Sequence, residues 1–318
     1  MKSPIVRTLL VCGFLTAALL PIWHLNAQEL TLEGQTGGFL TPTAYVVYTK
    51  KGQIFSHPAV GYHFVNSNDV IGDIHTFSIE EGFANRAEAG YTRSVHITGD
   101  SAMFSSLWHY AGMNVFNGKA VVLKESTGAD WVPGVAAGFV VRTGDRFVSG
   151  ALNQELFGVL KSYTNGDLYG VITKTWLKPP MPFLANFGLK MTNASIYGIG
   201  GQSTRFGGRL FGGLGIPIPG PWKTGIVPSA GFTQEPPQVK NLGAILAGGE
   251  AHIPTTLDYA VRVTQKEHPH FAFDIGIGQV AGQIGTTYVQ PPGTDVLIPV
   301  AVNLEARKVL GLGLSYRY

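Results

Sequence analysis

In the stretch HFAFDIGIGQV, Phe271, Phe273, Ile275 and Ile277 alternate with Ala272, Asp274, Gly276 and Gly278. A helix would scatter these residues around its axis, whereas a strand sends them to two faces, one apolar and one small or charged. The same alternation recurs along the chain. Tyr259, Val261 and Val263 oppose Ala260, Arg262 and Thr264. Phe183, Ala185, Phe187, Leu189 and Met191 oppose Leu184, Asn186, Gly188 and Lys190. Phe206, Leu210 and Leu214 oppose Arg205, Gly207 and Arg209, and Ala87 to Ile97 repeats the pattern with Arg93 as its one break. Two architectures accept such strands: a soluble sandwich with its apolar face inward, or a membrane barrel with its apolar face outward.

Charge separates the two. Only 14% of residues are charged and 42 of 318 are glycine, while soluble domains carry about a quarter charged residues. A sandwich would expose a polar face rich in Lys and Glu; a barrel can line an aqueous interior with few charges and turn the apolar face to lipid. Hydrocarbon tolerates no open sheet edge, so such strands must close. The reading is an all-β chain: a transmembrane, antiparallel, up-and-down β-barrel.

The first 27 residues carry Lys2 and Arg7, an apolar run from Thr8 to Ile22 and a small residue at Ala27, the pattern of a secretory signal peptide cleaved before Gln28. The run is short for a spanning helix and ends on Pro21, Trp23 and His24. Cys12, the only cysteine, lies within the apolar run, so the mature chain has none and forms no disulfide. Losing Lys2 and Arg7 lowers the formal charge from +3 to +1, which gives no reason to expect a nucleic-acid partner.

Candidate strands lie near 57–66, 73–80, 85–97, 109–116, 119–125, 130–142, 167–177, 183–191, 204–215, 224–232, 243–252, 257–265, 269–279 and 308–318. That makes fourteen; twelve is the alternative, because 109–125 reads also as one interrupted arm and Pro133 and Pro228 weaken two others. Irregular segments are expected over Gly144–Asn165, with a short helix at Ser149–Tyr163, and over Gly282–Asn303. The predicted division is 1–27 signal peptide, 28–56 an N-terminal segment acting as plug or first strand, and 57–318 the barrel. Trp176, Phe183, Tyr259, Tyr316 and Tyr318 are expected in interfacial girdles. The last strand, with Leu310, Leu312, Leu314, Tyr316 and Tyr318 on one face, resembles the signal by which the outer-membrane assembly machinery recognises barrel clients. That resemblance implies export through the general secretory pathway to a Gram-negative outer membrane, with periplasmic chaperones, the assembly machinery, lipid and lipopolysaccharide as partners.

The most distinctive segment is LEGQTGGFLTPTAYV, Leu32 to Val46. Gly37 and Gly38 permit tight backbone geometry before Phe39, and Thr41-Pro42 forces an extended conformation, so a structured segment is expected. With WVPGVAAGFVVR, Trp131 to Arg142, it resembles a family of Gram-negative outer-membrane proteins grouped as a domain of unknown function. The core Gly37 to Ala44 is also similar to the N-terminus of barrels associated with exopolysaccharide operons. The resemblance implies architecture and location, and carries over no catalytic residue.

Mid-strand charges Arg86, Glu88, Lys190, Arg205, Arg209, Arg262 and Asp274 are the candidate pore lining, where rings of charge would set selectivity. Eight histidines follow the leader: His57, His63, His75, His96, His109, His252, His268 and His270. They show no metal-ligand spacing, although His268-Pro269-His270 could chelate and His63 and His96 are expected in the lumen. The glycine-rich GIGGQSTRFGG and GGLGIPIPG lack the lysine and helix of a phosphate loop. No cofactor is expected, nor a metal. The functional expectation is a passive pore or transport component for small solutes or glycans, with a non-conducting envelope scaffold as the alternative. A third reading, a lipid-processing hydrolase on the outer wall, needs a Ser-His cluster that only geometry can reveal.

Overall fold

The computed structural model describes residues 29–67, 72–98, 112–144, 164–177, 182–194, 196–198, 202–236, 252–265, 270–289, 291–293, 295–296, 298–303 and 307–317. Two short strands come first, β1 (Glu29–Leu30) and β2 (Thr36–Gly37). Then follow β3 (Ala59–Asn66), β4 (Gly72–Phe83), β5 (Ala87–Thr98), β6 (Gly112–Leu123), β7 (Gly134–Gly144), β8 (Thr164–Trp176), β9 (Phe183–Ala194) and β10 (Gln202–Gly215). The chain ends with β11 (Ile218–Pro219), β12 (Thr224–Gln234), β13 (His252–Gln265), β14 (Phe271–Val289), β15 (Ile298–Asn303) and β16 (Arg307–Arg317).

Twelve of these form one closed antiparallel barrel. Each strand from β3 to β9 pairs with its successor; β10 pairs β12, then β12, β13, β14 and β16 follow, and β16 returns to β3 with Leu314 opposite Tyr62. β11 and β15 are short additions to β12 and β14. Both edges of β16 are satisfied by its neighbours, β14 and β3.

Alternation assigns the faces. Phe271, Phe273, Ile275 and Ile277 on β14 are 39–44% exposed on the outer wall, while Ala272 and Asp274 between them are 3% and 1% exposed inside. Phe187, Leu189, Leu310 and Leu314 point outward in the same way. An outer wall this apolar, on a sheet with no edge, is that of a transmembrane barrel. Leu312 sits near the centre of β16 between Ile275 and Phe64. Leu312→Arg is therefore expected to cost about 2–4 kcal/mol, read as a lower urea midpoint and a smaller fraction of heat-modifiable folded protein.

Several expectations change. The regions 109–116 and 119–125 merge into one strand, β6, because Asn117 and Gly118 continue the ladder opposite Gly90 and Ala89. Pro228 lies inside β12 opposite Val261, and its carbonyl still accepts from the Ile216 amide at 2.9 Å. Gly282–Asn303 is no irregular segment: β14 runs on to Val289, and Ile298, Val300 and Val302 form β15 beside it, leaving the proline-rich turn between. Tyr259 sits in the middle of β13, whereas Trp176 and Phe183 pair at strand ends, as do Phe271 and Tyr316. The helix expected at Ser149–Tyr163, most of the 243–252 strand and Tyr318 lie outside the described residues.

Connections 67–71, 99–111, 145–163, 195–201, 235–251 and 290–306 leave one end of the barrel, and four of them are longer than ten residues. Connections 84–86, 124–133, 177–182, 216–223 and 266–270, none longer than ten residues, leave the other, where β3 begins and β16 ends.

Candidate functional site in the barrel lumen

The lumen is occupied. Residues 29–47 are almost all buried although they belong to no wall strand, and they contact β3 to β10, β13 and β16 from within. β1 and β2 pair as a tight ladder, Glu29 opposite Gly37 and Leu30 opposite Thr36. Gly37 also bridges to Pro42, and the Gly38 amide donates to the Thr41 carbonyl at 2.9 Å. The chain then descends through Ala44, Tyr45 and Val47 to Thr49, whose amide donates to Asn85 Oδ1 at 2.6 Å in the β4–β5 turn.

Apolar contacts seat the segment first. Leu32, Phe39 and Leu40 are buried with inward-facing Val65, Ile74 and Ala260, and with Tyr197; Ala44 joins Met113, Val115, Ala136, Val140, Tyr169, Val171 and Phe211. The Phe39 ring lies edge-on to His63 at 5.8 Å and occupies the space above Gly311, where any Cβ would fall 2.3 Å from the ring. Burying a phenylalanine side chain contributes on the order of 2–3 kcal/mol.

Ion pairs and hydrogen bonds then join the segment to three sectors of the wall. On β7, the Arg142 guanidinium grips the Glu33 carboxylate with Nε and with a terminal nitrogen at 2.7 Å; that nitrogen also reaches Asp167 Oδ2 at 2.7 Å. On β13, Arg262 is held bidentately by Asp274 at 3.1 Å, meets Glu29 Oε2 at 2.5 Å and donates to the Gly37 carbonyl at 3.2 Å. On β5 and β6, Glu88 accepts from the Thr36 amide at 3.0 Å, the Thr36 hydroxyl at 2.5 Å and the Val47 amide at 2.9 Å. Lys119 Nζ pairs with Glu88 at 2.9 Å and donates to the Thr36 carbonyl at 2.8 Å. Smaller contacts fill the gaps: Thr92 Oγ1 and Asn117 donate to the Glu33 carbonyl, Asn186 donates to the Pro42 carbonyl at 3.0 Å, and the Ala44 amide donates to Thr173 Oγ1 at 2.8 Å.

Burial sets the protonation behaviour of these groups. It raises Glu29 well above the usual carboxylate range and raises Glu33 as well, with Arg262 and Arg142 pulling the other way. Beyond β12, burial raises Glu235, against the charge of Lys190, and lifts the Tyr197 phenol with help from Glu235. Tyr45 is pushed up by burial and by Glu125, to which its hydroxyl donates at 2.6 Å, so it remains a phenol donor.

The sequence-predicted lining divides. Glu88, Lys190, Arg262 and Asp274 face inward and are buried or half-buried. Arg209 lies on the inward-facing side of β10, half-buried, and donates to the Glu235 carbonyl at 3.0 Å. Arg86 is misplaced by the sequence reading: it is exposed in the three-residue turn after Phe83, because the strand ends before it. Arg205 belongs to β10, but its side chain is outside the described residues. Lys119, Arg142, Glu80, Asp167 and Asp258, all inward, were missed. His63 and His96 face inward; His75 faces outward, where its Nδ1 meets the Tyr62 hydroxyl at 2.8 Å between Phe64 and Phe77. The outer-wall partner of that histidine is a phenol, which gives no support to a serine hydrolase there.

No protein-family model matches the chain, and no curated protein does. Neither the resemblance of Leu32–Val46 and Trp131–Arg142 to a family of unknown function nor that of Gly37–Ala44 to exopolysaccharide-operon barrels therefore has a family match behind it. Among solved structures, the chain is similar to the KdgM porin (9% identity, TM-score 0.44, covering 82% of this chain and 99% of that one). It is also similar to the NanC porin (8%, 0.44, 82% and 100%) and to outer membrane protein Omp33 of Acinetobacter baumannii (9%, 0.39, 83% and 99%).

Proposed function

We propose that the protein is a gated pore of the Gram-negative outer membrane, closed by its own residues 29–47 and opened for small solutes or glycans when that segment withdraws. One observation carries the reading. Arg142, Lys119 and Arg262, cations on separate sectors of the lumen wall, each bond residues 29–37, and inward groups that an open channel would hydrate are buried. A wall needed only for stability would gain more from apolar filling than from buried ion pairs. Polar seats suit a segment that must come out into water. The longer connections are assigned to the cell exterior and the short turns to the periplasm, so the segment is tethered from the periplasmic end through residues 48–58. Leu310, Leu312, Leu314, Tyr316 and Tyr318 remain the proposed signal to the assembly machinery. The same filled lumen also supports a permanently closed scaffold, and a reversible lock separates the two.

A Cβ built on Gly61 lies 3.4 Å from that of Leu30, close to the roughly 3.5–4.5 Å of a disulfide, and the chain after Cys12 offers no competing thiol. Full-length protein carrying Leu30→Cys and Gly61→Cys, with Cys12→Ser, is expected to be silent in planar bilayers when oxidised. After reduction, in urea too dilute to unfold the barrel, it should conduct in steps. Equal steps in both redox forms would place the ion path elsewhere. Silence in both, with folding confirmed by heat-modifiable mobility, would make the barrel a scaffold.

A further inference from the structure

The geometry points to Arg142 as a carboxylate-binding site of the open lumen, with Glu33 as its resident occupant and a carboxylate-bearing solute as the ligand that displaces it. This rests on the gated reading. The guanidinium is fully buried, and its position is fixed by the wall alone: Asp167 accepts from one terminal nitrogen at 2.7 Å, and Asn165 Oδ1 stands 3.4 Å from the other. Asp167 is itself held by the Thr192 hydroxyl. These partners lie on β8 and β9, so the fork stays aimed when the N-terminal segment leaves.

What the segment takes from Arg142 is the Nε edge, which is suited to bidentate carboxylate binding, and it fills that edge with Glu33. Glu33 is presented by the turn between β1 and β2, whose backbone is positioned by Thr92 and Asn117 donating to the Glu33 carbonyl. The turn thus offers the wall a side-chain carboxylate in a fixed pose, as a bound solute would. Arg262, far round the barrel order, is a variant of the arrangement: Asp274 from the wall takes its Nε edge bidentately, and Glu29 from the segment meets the same Nε. Two arginines, each keeping one wall carboxylate and lending a second place to the segment, select a solute of low charge per group. A dianionic phosphate would face Asp167 or Asp274 at close range, whereas a carboxylate adds the same charge that Glu33 already places there. Hydroxyl and amide groups of Thr76, Ser78, Thr92, Ser94 and Asn117 line the neighbouring wall and would serve a hydroxylated acid.

Leu30 is 1% exposed, so a cysteine there, with Cys12→Ser removing the chain's own thiol, reports withdrawal of the segment by reacting with a water-soluble maleimide. Full-length Leu30→Cys protein in detergent is labelled with glucuronate, glutarate, glucose or sodium chloride, at matched ionic strength for the salts. Glucuronate should raise the labelling rate about tenfold or more over glucose and chloride, within the usual range of coupling between sites. Equal acceleration by glutarate assigns the effect to the carboxylate alone; a larger effect of glucuronate adds the sugar hydroxyls to the site. In the added Arg142→Lys variant, which keeps the charge and loses the fork, the ratio with and without glucuronate should fall to about one. Acceleration by chloride equal to that by glucuronate, or an unchanged ratio in Arg142→Lys, would overturn the assignment. If carboxylates are inert while the disulfide lock of the Leu30→Cys, Gly61→Cys protein still governs conductance, the site is wrong and the gate stands; if the lock is also without effect, the gated reading has failed.

Discussion

Replacing Arg142 by methionine is expected to release the lumen segment from the barrel. Lys50 and Lys51 are exposed just outside the lumen, and no Lys or Arg lies between Gln28 and Lys50, so in protein prepared to begin at Gln28 brief trypsin treatment is expected to cut the tether and leave 28–50 as a single peptide. In the parent protein that peptide should remain bound through its buried contacts and co-purify with the barrel. In Arg142→Met, Glu33 and Asp167 are left facing one another without the guanidinium that joins them. Breaking a buried pair from one side costs about 3–5 kcal/mol, a shift of about a hundredfold to several thousandfold in the seating equilibrium. Withdrawal relieves most of that cost, because both carboxylates then reach water. The peptide should therefore appear in the filtrate, identified by its mass, while the barrel keeps its heat-modifiable mobility. Adding Glu33→Leu should restore part of the retention, since it removes the segment's orphaned carboxylate and leaves only Asp167, which keeps the Thr192 hydroxyl as a donor. Equal retention in parent and Arg142→Met would mean that the apolar contacts of Phe39, Leu32 and Ala44 hold the segment by themselves.

The reason Arg142 escaped the sequence reading also explains how far that reading reaches. β14, β13 and β9 alternate cleanly because their inward faces carry Asp274, Arg262 and Lys190 among small residues, and those strands are legible at once. β7 reads GVAAGFVVRTG: its outward Phe139 and Val141 flank an inward Val140, and Ala136 also faces in. That inward face is apolar because it packs against Ala44 of the lumen segment. Period-two amphipathicity fades wherever a barrel wall has a protein neighbour inside, so Arg142 at the end of the run looks like a strand terminus. The same cause hid Lys119, which follows an inward Val115 and Asn117. Arg86 failed in the opposite direction. It continues the alternation of Glu88 on paper, but Ala84 and Asn85 adopt positive φ and end the strand before it. Gly37, Gly38 and Thr41-Pro42 marked the segment as structured; its partners on β5, β7, β9 and β13 are long-range contacts that no local pattern encodes.

A second substitution tests the seat by shape. Gly82 faces inward on β4, and a Cβ built there would stand 2.1 Å from the Val47 carbonyl oxygen and 2.9 Å from its carbon. The clash is with backbone, so no rotamer change relieves it. Around this point the chain leaving the lumen is tied to the wall: the Gly82 amide donates to Ser56 Oγ and its carbonyl accepts from the Ser56 amide, each at 2.8 Å. The Val47 amide is anchored on Glu88 at 2.9 Å, and the Val47 side chain is buried with Leu30 and Ala59. Gly82→Ala must push this stem off the wall, and overpacking a well-filled interior costs about 1–3 kcal/mol even where side chains can yield. For the barrel without the segment the sign reverses. Gly82 has no positive φ, so alanine suits the strand and removes freedom from the unfolded chain, a gain of about 0.4–1 kcal/mol. The Gly82→Ala protein should thus conduct without urea and release the 28–50 peptide after trypsin, while its barrel unfolds at an equal or higher urea concentration. A loss of barrel stability together with release would mean that the segment is part of the folding core. Release with an intact barrel would mean that the wall closes on its own and that the stem, held by fit at Gly82, and the tip, held by charge at Arg142, are separately breakable fastenings of one removable piece.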